Sequence, residues 1–229
     1  MMRKNNSNQV YVIAEIGINH EGSVTKCSKM IKEAAKFGVN AIKLQTINAD
    51  SNYVLNSESY NVFKSSELSP EETADMFKLA KSKGLDILTT AGDIDTIKWV
   101  EKLNPSSWKI SSGLLTHIPV VHYLASLGRP LLISTGMANH DEIDFAIKTA
   151  RSAGNNDISL LQCTSLYPAP FDSLNLKTLQ FFKSKYNCKV GFSDHSLGTD
   201  AAFLSVGAGA KIIEKHFSLD PTRVGFDHK

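Results

Sequence analysis

Two short segments near the end of the chain, Gly191-Phe192-Ser193-Asp194-His195 and Ile213-Glu214-Lys215-His216-Phe217, each close an apolar, strand-like run with a histidine. Neutral imidazole suits a borderline divalent metal, and two of them leave coordination positions open for a substrate. The spacing also admits a second reading, two unrelated strand-end histidines hydrogen-bonded to nearby carboxylates. Along KIIEKHF, alternation puts Glu214 and His216 on one face and Lys215 on the other. Ser193 and His195 share a face in the same way. Both histidines can therefore aim at one place if their strands are neighbours.

Two lysines add a second kind of chemistry. Lys43 lies in AIKLQT and Lys109 in WKISSG, each among apolar or small residues. A lysine inside a strand is costly unless its charge meets an anion. With hydroxyls from Thr90, Ser112 and Ser134, the pair makes a pocket for phosphate or carboxylate. Snorkelling to solvent and a Schiff-base lysine are the alternatives; two lysines amid hydroxyls, facing a histidine pair, favour anion holding. Glu15 closes the first strand, and Gln45 follows Lys43 on the same face of the second.

These residues need a frame. Short apolar runs at Tyr11–Gly17, Ala41–Gln45, Asp86–Thr90, Trp108–Ser112, Pro130–Thr135, Ile158–Thr164, Lys189–Ser193 and Lys211–Phe217 read as eight strands. Helical patterns lie between them, roughly Val24–Phe37, Pro70–Lys83, Asp93–Leu103, Ile118–Ser126, Asp141–Ala153, Asn175–Lys185 and Thr199–Ala208. Ser69-Pro70-Glu71-Glu72 has the cap, first-turn proline and reaching glutamate of a helix start. Gly38, Gly84, Gly128, Gly154 and Gly209 each follow a helix. Strand–helix alternation with β-branched strands means a parallel sheet, and eight units predict an α/β fold of the (β/α)8 TIM-barrel type. A doubly wound sheet would need a glycine-rich fingerprint after the first strand, and Gly17-Ile18-Asn19-His20-Glu21-Gly22 is not one. Residues 1–10 read as a polar tail and 11–229 as the barrel. No eighth helix follows the eighth strand, so the wall between the last and first strands is expected to lack cover, as in a fragment or a barrel that borrows its cover. In such barrels chemistry sits at the C-terminal strand ends, where Glu15, His195 and His216 fall.

Composition narrows the partners. The 229 residues carry 25 Lys plus Arg against 23 Asp plus Glu, and this near balance favours no nucleic-acid partner. Three cysteines with no paired spacing, Cys27, Cys163 and Cys188, suggest a reduced, cytoplasmic setting. The polar N-terminus lacks a signal-peptide core, and no run reaches the ~18 apolar residues of a membrane span.

At this point AEIGINHEG, IKLQT, KISSG, ISTGM, QCTSLYPAP, FSDHS, IEKHF and GFDHK, in that order from about Tyr11 to Lys229, together resemble the barrel domain of the N-acetylneuraminate (sialic acid) synthase family, which includes legionaminate and pseudaminate synthases. The resemblance implies condensation of phosphoenolpyruvate with an N-acylated hexosamine, releasing phosphate and making a nine-carbon 2-keto acid. It implies Mn2+ or Mg2+ on His195 and His216. Phosphoenolpyruvate contacts fall on Lys43, Thr90, Lys109, Ser112, Ser134, Ser165 and Ser193; Gln45 joins these as a substrate-binding residue. Sugar-side residues fall on Glu15, Tyr167 and Asp227. Glu15 is the candidate for handling the proton of the new hydroxyl or of the attacking water, so Glu15→Gln is expected to spare phosphoenolpyruvate binding and cut turnover. A homodimer is the family expectation.

The chain departs from the family in places. Thr89-Thr90-Ala91-Gly92-Asp93 stands where a Ser-Thr-Pro-Phe run is usual, which removes an aromatic wall. Leu114 replaces an acidic residue, and Ser165 an asparagine of some members. The small antifreeze-like domain that follows the family's barrel is missing from the sequence. A non-catalytic barrel that binds phosphoenolpyruvate or a partner subunit is the reading from a different class. Synthases of octulosonate and heptulosonate phosphates are the runner-up within the same chemistry; they add a cysteine ligand, and Cys163 is placed on the sixth strand, away from the histidine tips. Asn48–Leu68 reads as a long polar loop over the mouth that helps choose the sugar.

Overall fold

Runs that are apolar on both faces must be covered on both faces, and a closed parallel barrel wrapped in helices does this. The computed structural model describes residues 9–223 and His228. Its strands, β1 (Tyr11–Gly17), β2 (Ala41–Gln45), β3 (Asp86–Thr90), β4 (Ser107–Ile110), β5 (Leu131–Ser134), β6 (Ile158–Cys163), β7 (Lys189–Asp194) and β8 (Ile212–His216), form one closed barrel in sequence order. Every pairing is parallel, and β1 joins β8, with Glu15 opposite Lys43 on one side and His216 on the other. The (β/α)8 expectation holds.

The helices among the described residues are α1 (Val24–Lys36), α2 (Ala49–Asn52), α3 (Glu58–Ser66), α4 (Pro70–Ser82), α5 (Ile94–Glu101), α6 (Ile118–Ser126), α7 (His140–Ser152), α8 (Thr178–Tyr186) and α9 (Asp200–Gly207). The start of α4 is the expected capping box: Glu72 N–H donates to Ser69 Oγ at 3.1 Å, and Ser69 N–H to Glu72 Oε2 at 2.8 Å. Gly84, at φ +75°, closes the same helix in a conformation that disfavours any side chain.

Three expectations change. Asn48–Leu68 is not a loop, because α2 and α3 lie within it. Ser57 caps α3 through Tyr60 N–H, and Tyr53 stacks on Phe63 with centroids 4.8 Å apart. Helix α3 buries only Ser66, so no buried apolar stripe marks it. The fourth strand ends at Ile110, leaving Ser112 in a 3-10 turn, Ser112–Leu114. The eighth ends at His216.

The core has two shells. Tyr11, Ile13, Ala41, Leu88, Leu132, Leu161 and Ile212 plug the barrel interior. A larger cluster fills the space between strands and helices, where Ile42, Ile87, Ile110, Ile133, Leu160 and Phe192 are fully buried. Val12, which points outward on β1, is instead 37% exposed, while Ile213 on β8 is buried. The thin wall expected beside the first and last strands is thus found at Val12 and not at Ile213. Among the described residues no helix is long and apolar enough to cross a membrane.

Candidate active site

Because strands alternate, the residue two positions beyond each member of the interior plug also points inward. Six strands supply Glu15, Lys43, Thr90, Ser134, Cys163 and Glu214 in this way; β4 and β7, which give the plug no member, add Lys109 and Ser193, in register with Thr90 and Cys163, and all eight are buried. A polar layer therefore lies directly on the apolar plug, toward the C-terminal mouth.

Its charges are paired. Lys43 Nζ lies 2.7 Å from Glu15 Oε1, which also accepts from Gln45 Nε2 at 3.1 Å. Lys109 Nζ donates to Ser134 Oγ at 2.7 Å and faces Glu214 Oε1 across the barrel at 3.5 Å. Ser193 Oγ donates to the same Glu214 oxygen at 3.0 Å. Burial alone would push the Glu214 carboxyl up, but the ammonium groups of Lys109 and Lys43 and the Ser193 hydroxyl hold it at about 2. Burial pushes Lys109 below the ordinary lysine value, with Glu214 opposing and Lys43 adding to the shift. Thr90 Oγ1 and Glu214 Oε2 are buried with no hydrogen-bond partner among the described residues. Buried atoms of this kind in a charged layer are satisfied by a polar ligand or an ordered water.

The two histidines sit above this layer with ring centroids 5.4 Å apart. His195 Nδ1 is 2.8 Å from the Thr164 carbonyl, which fixes that nitrogen as the donor and leaves the Nε2 lone pair free to accept. Tyr167 stacks on His195 at 4.1 Å, and its hydroxyl lies 3.1 Å from Nε2. A cation could take the lone pair that this hydroxyl meets. Two imidazoles, one oriented by a backbone carbonyl, fit a divalent ion that draws its remaining ligands from substrate and water. Among the described residues no group of three or more His, Cys, Asp or Glu side chains is disposed to hold a metal.

The residues singled out from the sequence mostly converge. Glu15, Lys43, Thr90, Lys109, Ser134 and Ser193 share the layer; Gln45 joins it from the tip of β2. Ser112 stands beyond β4, its Oγ accepting from Gly136 N–H at 3.0 Å. Ser165, in the loop after β6, packs on Gly136, where an added Cβ would come within 2.8 Å of its Oγ. Tyr167, His195 and His216 form the aromatic cluster above. Asp227 lies outside the described residues.

Two members of the layer received no role from the sequence. Glu214 shares a face with His216, and the same alternation that selected the histidine selects it. Cys163 corrects an expectation: it is not remote from the histidines, since its Sγ is 3.8 Å from His195 Nδ1. Neighbouring β6 and β7 pair Cys163 with Ser193, two residues before His195. Burial raises this thiol, and contacts with His195, Ser112 and Lys109 outweigh that and lower it.

Known proteins share this sequence and this fold. The chain is 40% identical over 218 residues to protein MJ1065 of Methanocaldococcus jannaschii, covering 95% of this chain and 65% of that protein. It is 36% identical to the N,N'-diacetyllegionaminic acid synthase of Legionella pneumophila, covering 95% and 66%. The crystal structure of the sialic acid synthetase from Leptospira borgpetersenii in complex with citrate superposes with a TM-score of 0.93 at 33% identity, covering 96% of this chain and 77% of that one. The chain thus spans about two thirds of the length of these two curated relatives. Residues 30–229 match the NeuB family, and the chain belongs to it.

Proposed function

We propose that the chain carries the barrel of a synthase that joins phosphoenolpyruvate to an N-acylated hexosamine aldehyde, giving a nine-carbon 2-keto acid and phosphate. The observation that carries this reading is the buried layer in which Lys43 and Lys109 stand among hydroxyls beneath two imidazoles. Phosphoenolpyruvate offers a phosphate and a carboxylate, and the layer offers two ammonium groups with donors from Ser134 and the orphaned Thr90 hydroxyl. Relatives named as legionaminic and pseudaminic acid synthases support the sugar half.

Lys43 and Lys109 hold the anion, so much of the rate gain is positioning. Carbon 3 of the enol forms the new bond to the aldehyde carbon, and the aldehyde oxygen takes up a proton. Water adds to the electron-poor carbon 2, and the adduct loses phosphate by C–O cleavage to leave the ketone. Glu15, hydrogen-bonded to Gln45, is the group that exchanges a proton with the new hydroxyl or the attacking water. Glu214 stays ionised beside Ser193 and balances the lysines. Mn2+ or Mg2+, held by His195 and His216, would supply Lewis acidity toward the aldehyde when bound.

The test is phosphate release from phosphoenolpyruvate with manganese, using N-acetylmannosamine and 2,4-diacetamido-2,4,6-trideoxymannose in turn, on protein that melts cooperatively. Sugar-dependent release that disappears in His195→Ala supports the reading. Folded protein that releases no phosphate with either sugar overturns it.

A further inference from the structure

The outer face of β7 and β8 carries a polar cluster that the condensation does not use. Asp194 and Lys215 stand directly opposite one another across the two strands, and each comes one residue before a histidine, His195 or His216. Both point away from the barrel interior, since Ser193 and Glu214 beside them point in. The Asp194 side chain is fully buried, and that of Lys215 is 29% exposed. Lys215 Nζ donates to Asp194 Oδ2 at 2.8 Å and to the Ser196 carbonyl at 2.7 Å. The other carboxylate oxygen, Oδ1, accepts from Ser196 N–H at 2.8 Å and from Ser196 Oγ at 2.7 Å.

These bonds bracket His195. Strand β7 ends at Asp194, so His195 lies beyond the last ladder position. In the turn that follows, both backbone polar groups of Ser196 are tied to the Asp194–Lys215 pair, the N–H by the carboxylate two residues back and the carbonyl by the ammonium. The His195 carbonyl accepts from Ala169 N–H at 2.9 Å, and its Nδ1 lies 2.8 Å from the Thr164 carbonyl. The segment after β6 therefore holds His195 from one side and the pair holds it from the other. His216 needs no such turn, because it is still on β8, opposite Glu15. One ammonium thus ties the loop that carries the first imidazole to the strand that carries the second. Asp194, Ser196 and Lys215 also line the same small cleft as the two histidines.

We propose that Asp194 and Lys215 are positioning residues for the paired imidazoles, holding His195 at the distance and angle from His216 that a shared divalent ion requires. Both act through the backbone of Ser196 rather than by touching substrate. Two protein ligands leave the ion's place to their mutual geometry, and contacts that orient metal ligands are commonly worth roughly 10–100-fold in affinity. The inference rests on the proposed metal-assisted condensation for its ion, so the histidine rings are also read without metal.

Lys215→Met removes the tie and leaves the Asp194 carboxylate without its ammonium. Combining it with Asp194→Asn removes both charges, and with them the cost of an unpaired buried carboxylate. Lys215→Arg keeps the charge and the donors. Lys189→Met is the control, since Lys189 and Asp157 meet at 3.2 Å in an exposed pair at the other end of β7. Mn2+ binding to the full chain is read by electron paramagnetic resonance of the free ion, and stability by urea unfolding. Imidazole tautomers are read by long-range proton–nitrogen NMR of metal-free protein in mildly alkaline buffer. The Mn2+ Kd is expected to rise about tenfold or more in Lys215→Met and in the double variant, although the double variant regains stability over Lys215→Met. Lys215→Arg should recover part of the affinity, and Lys189→Met should stay within about twofold of the parent. His195 should show one Nδ1-protonated tautomer in the parent and a mixture in Lys215→Met. A double variant that regains Mn2+ affinity together with stability would reveal a purely structural ion pair and overturn the proposal. So would a cooperatively melting Lys215→Met with an unchanged Kd. If the parent takes up no Mn2+, the metal reading fails, and an unchanged His195 tautomer in Lys215→Met then overturns the positioning role as well.

Discussion

Glu15 and Lys43 face each other in register on β1 and β2, and their 2.7 Å ion pair alters what a substitution at either site reports. From sequence, Glu15→Gln is expected to leave phosphoenolpyruvate binding alone. In the folded barrel it removes the carboxylate that lies 2.7 Å from a buried ammonium, and breaking a buried pair from one side costs on the order of 3–5 kcal/mol. Gln keeps an acceptor oxygen, so the urea-unfolding loss is expected at about 3 kcal/mol, the low end of that range. An added anion then has more to offer the variant: inorganic phosphate should raise its melting temperature more than it raises the parent's. Equal stabilisation of the two proteins would remove Lys43 from the anion pocket. The same bookkeeping explains why Glu214 matters although it was given no role: it is the carboxylate that Lys109 faces across the barrel.

At the level of elements, the spacing of β7 and β8 decides whether two histidines can share an ion. Gly191 permits that spacing, because a Cβ there would meet the Ile212 carbonyl oxygen at 2.6 Å, and backbone cannot swing aside. Gly191→Ala is expected to cost about 1–3 kcal/mol as an overpacking change and to weaken manganese binding, read by electron paramagnetic resonance of the free ion. Gly207→Ala provides the contrast: nothing lies within 4 Å of its added methyl, so unfolding free energy should hold or rise by up to about 1 kcal/mol. Equal effects of the two substitutions would refute the close-approach argument. The excursion between β2 and α4 teaches a related lesson. Helix α3 is held by its Ser57 cap, by Tyr60 and Lys64 gripping Asp50 at 2.8 Å each, and by the close seat that Gly22 leaves for the Ser65 carbonyl. Such contacts are polar and local, and α3 buries no apolar side chain that would mark it as part of the core.

Across the whole molecule, acid stability should carry the mark of His20. Its folded pKa of about 4 lies below the ordinary histidine value of 6.5 because burial disfavours the cation, with Lys26 adding to the effect. Between those two values the unfolded chain binds a proton that the folded one refuses, so stability is full above about pH 6.5 and falls as pH drops toward 4. The loss amounts to about 3 kcal/mol at roughly 1.4 kcal/mol per pKa unit. His20→Gln should flatten that part of a urea-stability profile relative to the parent; parallel profiles would show that His20 is not the group responsible. What the sequence by itself determined is local: strand–helix alternation gave the barrel, and a period of two sorted inward from outward side chains, which is why Lys43, Lys109, His195 and His216 could be picked out one strand at a time. Tertiary structure alone decided who meets whom. Glu214 reaches Lys109 only because the sheet closes, and Cys163 reaches His195 only because β6 lies beside β7. Partners so far apart in the chain leave no periodic trace, since nothing local fixes the distance between them until closure does.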